Sequence, residues 1–198
     1  IFDPRGLLRG AKGTKNVKTG SKSSEKDPPT LACVTGASSG IGEALCRLMA
    51  EKKINLMITG RNVIRLNALA EELRTQVDVH VFPGDLIIKE DREMLIQNIY
   101  HYQPDLVVNN AGMGLYGDAL THKTSEEMEV FAINAEAVLE ISLEAARAMI
   151  SAEKKGVIMN ISSMAANPIF PGLAVYSASK AFVSQFSISF DEETRPYG

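Results

Sequence analysis

Cysteine is scarce in this chain. Of its two, Cys33 falls in an expected strand and Cys46 in an expected helix, and no framework spacing relates them. That argues against a disulfide-stapled scaffold and makes both thiols reduced packing residues, which favours a cytoplasmic setting. Long apolar runs are also missing. No stretch approaches the ~20 residues of a spanning helix, so no segment of the sequence is expected to cross a membrane. There is no basic surplus either, since the net charge is −3, and a nucleic-acid partner would need a basic face. The three histidines, His80, His101 and His122, are scattered over separate elements and read as surface residues rather than metal ligands, so no metal is expected. A repeat of solenoid type is absent as well.

What is there is an ordinary globular composition. With 45% apolar and 23% charged residues, the 198 residues suffice for one domain with a real core. Residues 1–29 stand apart: rich in Gly, Lys, Ser and Thr, they carry seven Lys/Arg against three Asp/Glu and close on Pro28-Pro29. They read as a flexible basic segment, with contact to anionic lipid or a partner as the sharper alternative. Ile1 stands where an initiator Met would, which leaves room for an upstream targeting or anchoring segment.

From Thr30 onward, short apolar runs alternate with amphipathic stretches, a βαβα pattern that predicts an α/β fold with a mostly parallel sheet covered by helices. Strands are expected near 30–35, 54–59, 78–82, 105–109 and 156–162. Helices are expected near 40–52, 62–75, 87–101, 124–151 and 175–194.

Four loci carry chemistry. The first strand ends in Thr35-Gly36-Ala37-Ser38-Ser39-Gly40-Ile41-Gly42 and runs straight into a helix. Such a turn points backbone N–H groups toward an anion and lets a pyrophosphate approach. A plain tight turn is the alternative. The second strand ends at Gly60-Arg61, where a dinucleotide fold would carry a carboxylate for the adenosine ribose. Arg61 instead offers a fork suited to a 2′-phosphate, and Ser39 could add a hydroxyl; this favours NADP(H) over NAD(H), unless Arg61 is merely solvated. Asp85-Leu86 follows the third strand, and Asp85 either contacts adenine or caps the next helix. Asn109-Asn110-Ala111-Gly112 follows the fourth strand. Its small residues admit a flat cofactor, while its Asn side chains can pin neighbouring strands.

Downstream, Tyr176 and Lys180 are four apart, which places phenol and ammonium on one helix face. A phenol ordinarily titrates near ~10, and a nearby cation favours its ionised form, which suits acid/base service. Ser163 ends an apolar run thirteen positions earlier. Asn134 sits amid Phe131, Ala132, Ile133 and Ala135 in a helical stretch, where its carboxamide needs a polar partner.

Together these pieces resemble the short-chain dehydrogenase/reductase family, in its single-domain branch. Thr35–Gly42 looks like its TGxxxGxG turn, Asn109–Gly112 like its NNAG segment, and Ser163, Tyr176 and Lys180 like its Ser…YxxxK set, with Asn134 matching its helix Asn. The resemblance covers residues 30–198 and implies a Rossmann-like doubly wound parallel sheet. It implies a nicotinamide cofactor held by Gly36, Ser38, Ser39, Gly40, Ile41, Gly42, Arg61, Asp85, Leu86, Asn110, Ala111, Gly112, Tyr176 and Lys180. It further implies hydride transfer between NADP(H) and a ketone or secondary alcohol, with Tyr176 as acid, Ser163 stabilising the alkoxide, Lys180 holding the ribose and tuning Tyr176, and Asn134 positioning a water. A homo-oligomer through the two long helices belongs to the same implication. A non-catalytic NADP(H)-binding regulator is the alternative.

One departure is evident. The family continues past the tyrosine helix into a sixth strand and a substrate-covering segment, whereas this sequence stops at Gly198. The sheet is therefore expected to be truncated after that helix, with strand five as a bare apolar edge. A chain ending there is expected to be poorly soluble or inactive. Leu115, Tyr116, Met164, Ile169 and Phe170 fall where loops would line the substrate pocket, which points to an apolar substrate.

Overall fold

A computed structural model describes residues 28–198. The basic segment anticipated for residues 1–29 lies almost wholly outside the described residues. Five short apolar runs form the strands: β1 (Leu31–Val34), β2 (Asn55–Gly60), β3 (Val79–Pro83), β4 (Leu106–Asn109) and β5 (Val157–Asn160). All pair in parallel, in the order β3-β2-β1-β4-β5. Cys33 of β1 sits in register with Met57 of β2 and Val107 of β4, and all three are fully buried.

Helices α1 (Gly40–Glu51), α2 (Val63–Leu73) and α3 (Lys89–Tyr102) follow the first three strands. On one face of the sheet, Ala32, Val34, Leu56, Ile58 and Val108 meet Cys46 of α1 and Leu66, Leu69 and Leu73 of α2. On the other, Cys33, Met57 and Val107 meet Leu95 and Ile99 of α3 and Ile141 and Ala145 of a later helix. Covering on both faces explains why the central strands read as unbroken apolar runs rather than as alternation. Burial pushes the Cys33 and Cys46 thiols up to about 12. At that value neither is a nucleophile near neutral pH. β3 and β5 are the edge strands, and Val157 and Met159 of β5 are exposed. Among the described residues no helix is long and apolar enough to cross a membrane.

The single long helix expected over 124–151 is in fact interrupted. It divides into α4 (Thr124–Phe131), a π turn (Ala132–Glu136) and α5 (Ala137–Ser151). The N–H of Ala137 reaches back to the carbonyl of Ala132, a spacing of five that defines the wide turn. The last helix, α6 (Ala174–Thr194), follows a short 3-10 turn over Met164–Ala166. Strand order reverses at β1, whose neighbours β2 and β4 lead away in opposite directions. In such sheets the crevice for a ligand opens at the carboxyl ends of the strands.

Candidate active site

That crevice is present. A cleft of about 300 Å³ lies over the ends of β1 to β4, walled by Gly36, Ser38, Ser39, Gly40 and Ile41 on one side and by Asp85, Leu86 and Ile87 on the other. Asn110, Ala111, Gly112, Met113 and Ile133 form the rest of its lining. The glycines of the first turn have distinct jobs. Gly42 is required by a close approach: a Cβ there would stand 2.4 Å from the Gly36 carbonyl oxygen and 2.5 Å from Asn110 Nδ2. Gly40 has φ +56 and nothing within 4 Å of its would-be Cβ, so it leaves room on the cleft side. Ser39, the N-cap of α1, is extended and makes no side-chain cap bond. The first N–H groups of α1 therefore lack a side-chain partner and suit an anionic group.

The turn is locked to β4 by polar contacts. Thr35 Oγ1 accepts from the N–H groups of Asn110 and Ala111 at 3.0 and 2.9 Å. Asn110 Nδ2 donates to the carbonyls of Thr35 and Gly36. Asn109 Nδ2 donates to Ser142 of α5 and to Asn160 of β5. The Asn pair therefore holds β1, β4 and β5 in place.

At the far end of the cleft Arg61 follows β2, its side chain 66% exposed and Nη1 3.8 Å from Asp85 Oδ2. Ser38, more than Ser39, backs this end: its Oγ lies 3.1 Å from where a Gly60 Cβ would stand. Asp85 serves two ends at once. Its Oδ1 accepts from Ile87 N–H, closing the turn before α3, and its Oδ2 faces Arg61. It does not cap α3, whose N-cap is Ile88. Leu86 is buried and lines the cleft.

Asn134 is fully buried in the π turn. Its Oδ1 accepts from Met113 N–H at 3.0 Å, and its Nδ2 donates to the Met113 carbonyl at 2.7 Å and to Ser179 Oγ at 3.2 Å. The wide turn is what lets a helix residue hold the loop after β4 by both its N–H and C=O. Ser179 Oγ in turn donates to the backbone carbonyl of Tyr176. Lys180 is buried, and its Nζ donates to the Ile161 carbonyl at 2.8 Å. Burial lowers the Lys180 pKa from its ordinary value.

Two glycines bring this group to the cleft. A Cβ on Gly112 would stand 2.7 Å from Asn134 Oδ1 and 3.5 Å from Lys180 Nζ, and one on Gly114 would stand 3.4 Å from the Tyr176 ring. Ser163 lies beyond the end of β5, which stops at Asn160, sooner than the sequence predicts. Its Oγ accepts from Ala165 N–H at 3.1 Å as the cap of the 3-10 turn that packs on α6. The neighbouring Ser162 hydroxyl contacts the Lys180 carbonyl and Ser184 Oγ, tying that segment to α6.

Tyr116, Met164, Ile169 and Phe170 are exposed and Leu115 is half-buried, so of these five none is core. The two loops that carry them join where Gly117 N–H donates to the Gly172 carbonyl at 2.9 Å. The histidines do not all lie on the surface as expected. His80 packs at a tilt against Tyr102, ring centres 4.4 Å apart, and His122 is largely buried with Nδ1 2.8 Å from Glu127 Oε1. Ser179 also organises the site without having stood out in the sequence. For Ser179 the signal was its place beside Lys180, one helical turn from Tyr176.

Comparison with known proteins agrees with this arrangement. The family model described as short chain dehydrogenase matches residues 30–198. A very-long-chain 3-oxoacyl-CoA reductase of Podospora anserina is 33% identical over 176 residues, covering 85% of this chain and 52% of the relative. The chain thus spans about half the length of that relative. Among solved structures, a bulky-bulky ketone specific alcohol dehydrogenase from Comamonas testosteroni superposes with a TM-score of 0.82 at 29% identity, covering 87% of this chain and 70% of that one. A short-chain dehydrogenase from Sphingobium yanoikuyae in complex with NADPH gives 0.80 at 29% identity, over 85% and 66% of the two chains. The family match takes in both the glycine turn and the polar lattice at the end of β4: this chain belongs to the short-chain dehydrogenase/reductase family.

Proposed function

We propose that the protein is an NADP(H)-dependent oxidoreductase that interconverts a ketone and a secondary alcohol, with an apolar substrate. The observation that carries this reading is the shared wall at Gly112, which lines the cleft and lies against both Asn134 and Lys180, with the Tyr176 ring beside Gly114. The cleft fits a nicotinamide dinucleotide: it offers the uncapped N-terminus of α1, open room at Gly40 and small residues over Asn110–Gly112. Bound there, the dinucleotide would supply or take up hydride.

The chain's own residues do the rest. Tyr176 donates its phenolic proton to the oxygen of a reacting carbonyl, and the Ser163 hydroxyl stabilises that oxygen by a hydrogen bond. Lys180, fixed by the Ile161 carbonyl, holds the ribose next to nicotinamide with its remaining N–H groups. Asn134 keeps the Met113 loop in place and sits on the route by which a proton returns. In the reverse direction the same groups take the proton from an alcohol.

Preference for NADP(H) is supported by Arg61 at the end of β2, where no carboxylate stands, and by the Ser38 hydroxyl nearby. The NADPH complex of the Sphingobium neighbour points the same way. An apolar substrate is supported by the exposed Tyr116, Met164, Ile169 and Phe170 on the loops joined at Gly117 and Gly172, and the Comamonas neighbour's bulky ketones are in keeping with it. Two free buried thiols suit a cytoplasmic setting. The test is to mix the full chain with NADPH and a panel of aliphatic, aromatic and polar carbonyl compounds and follow the loss of reduced-nicotinamide absorbance. Turnover confined to apolar ketones is the expected result. Tight NADPH binding without turnover on any member of the panel would favour the regulatory alternative.

A further inference from the structure

Among the described residues, Arg92 is the most deeply buried cation outside the Lys180 group, 2% exposed on the first turn of α3. Its guanidinium has five N–H donors, and the structure assigns four of them partners. Nη1 donates to the carbonyls of Leu86 and Ile87 at 2.9 and 3.0 Å. Nη2 donates to Glu136 Oε1 and Nε to Glu140 Oε2, both at 2.7 Å. The first pair of contacts is on the loop that forms one wall of the cleft. The second pair is on the last residue of the π turn and the first turn of α5. One planar fork therefore joins the Leu86–Ile87 wall to the turn that presents Ile133 to the cleft and Asn134 to Met113.

The two sides are not equally well held without it. The π turn is continuous with α4 and α5 and is anchored again through Asn134 to Met113 and Ser179. The wall is a short connection between β3 and α3. Leu86 is buried in the core beside Ile133 and Ile87 packs against it, but the other polar ties of the wall are few: Asp85 N–H to Asp91 Oδ2 at 2.7 Å, Ile87 N–H to Asp85 Oδ1 at 3.1 Å and, across to β2, Gly84 N–H to the Gly60 carbonyl at 3.2 Å. Loss of the fork would leave two carbonyls of the wall without partners and two carboxylates without their cation, and the backbone at Leu86 and Ile87 would shift to regain partners.

We propose that Arg92 is a positioning residue for the dinucleotide: it sets the distance between the wall beside Arg61 and Asp85 and the π turn, and so determines affinity for the adenosine half of the cofactor. This rests on the cofactor reading above. Arg92 touches no ligand itself and acts through the Leu86 and Ile87 carbonyls. Lysine keeps the charge but, as a point donor without the planar fork, does not hold two carbonyls and two carboxylates in one plane.

The test compares two reductants in the full chain. NADPH spans the cleft, whereas reduced nicotinamide mononucleotide lacks the adenosine half. In Arg92→Lys the Kd and KM for NADPH are expected to rise about 10-fold, with kcat at saturating NADPH and turnover with the mononucleotide within about 2-fold of the parent. Glu136→Gln supplies a second variant at a half-exposed carboxylate, where folding tolerates the change. It turns the charge-assisted tie to the π turn into a weaker neutral one and is expected to weaken NADPH a few-fold, again sparing the mononucleotide. Equal losses with both reductants, or no change in their ratio in either variant, would overturn the positioning role and leave Arg92 a brace of the fold. A parent chain that binds neither NADPH nor 2′-phospho-ADP-ribose would instead sink the cofactor reading, and this inference with it.

Discussion

Replacing Asn134 by Ala isolates the physical reason for the π turn. The carboxamide is fully buried and makes three hydrogen bonds, two of them to the backbone of Met113 and one to Ser179. The substitution removes those bonds and leaves a backbone N–H, a backbone carbonyl and a hydroxyl short of a partner. Each unsatisfied buried polar group costs about 1–3 kcal/mol. Met113 is only part-buried and water can reach it in part, so a total of roughly 2–4 kcal/mol follows rather than the sum of the upper values. For a chain of this size that corresponds to a Tm lowered by about 5–15 °C. Thermal unfolding followed by circular dichroism reads it directly. Asn134→Asp keeps the acceptor for Met113 N–H while setting a carboxylate against the Met113 carbonyl, so it should lose at least as much. A Tm for Asn134→Ala within about 1 °C of the parent would refute the reasoning, because it would mean the carboxamide bonds contribute nothing net.

Two further outcomes follow from the same geometry. Lys180 has its pKa lowered by burial, so between that value and the unfolded value near ~10.4 the unfolded chain binds more protons than the folded one. The Lys180 contribution to stability therefore rises with pH across that window, the burial penalty being fully present below the folded pKa and gone above the unfolded one, while the buried Cys33 and Cys46 thiols act in the opposite sense; urea titrations at stepped pH should show the Lys180 slope as the difference between the parent and Lys180→Met. Arg61→Ala is expected to raise the KM for NADPH by about 10- to 100-fold while leaving NADH unchanged, since a charge-assisted contact to a 2′-phosphate contributes about 1.5–3 kcal/mol. Equal effects on the two cofactors in steady-state kinetics would remove Arg61 from that role.

Much of the fold is legible in the sequence because its central strands are buried on both faces. Runs such as Leu31–Val34 and Leu106–Asn109 need no alternation to be recognised, and the turn at Gly36–Gly42 marks the first βα junction. The break in the long helix is another matter. A π turn leaves no periodic signature over five residues, and only the need of the Asn134 carboxamide for a polar partner marks the place in the sequence. Arg92 is harder still. It stands in Lys-Glu-Asp-Arg-Glu, which has the composition of a solvated helix face, and nothing local shows that Glu136 and Glu140, more than forty residues on, close around it. Asp85 illustrates a different limit. The sequence offered a cap of α3 or a cleft contact, yet the cap falls to Ile88, and the two Asp85 carboxylate oxygens close the preceding turn at Ile87 N–H and face Arg61.

The central claim is that Tyr176 is the proton donor of a carbonyl reduction carried out beside Lys180 and Asn134. Tyr176→Phe removes one oxygen from a half-buried ring that packs by Gly114 and changes little else. The measurement is single-turnover reduction of an accepted ketone by NADPH in parent and variant, with NADPH affinity determined in parallel by nicotinamide fluorescence. The expected result is unchanged affinity with the rate lowered by about 10²–10⁴-fold, the usual contribution of a positioned general acid. A variant that reduces the ketone at the parental rate would contradict the account.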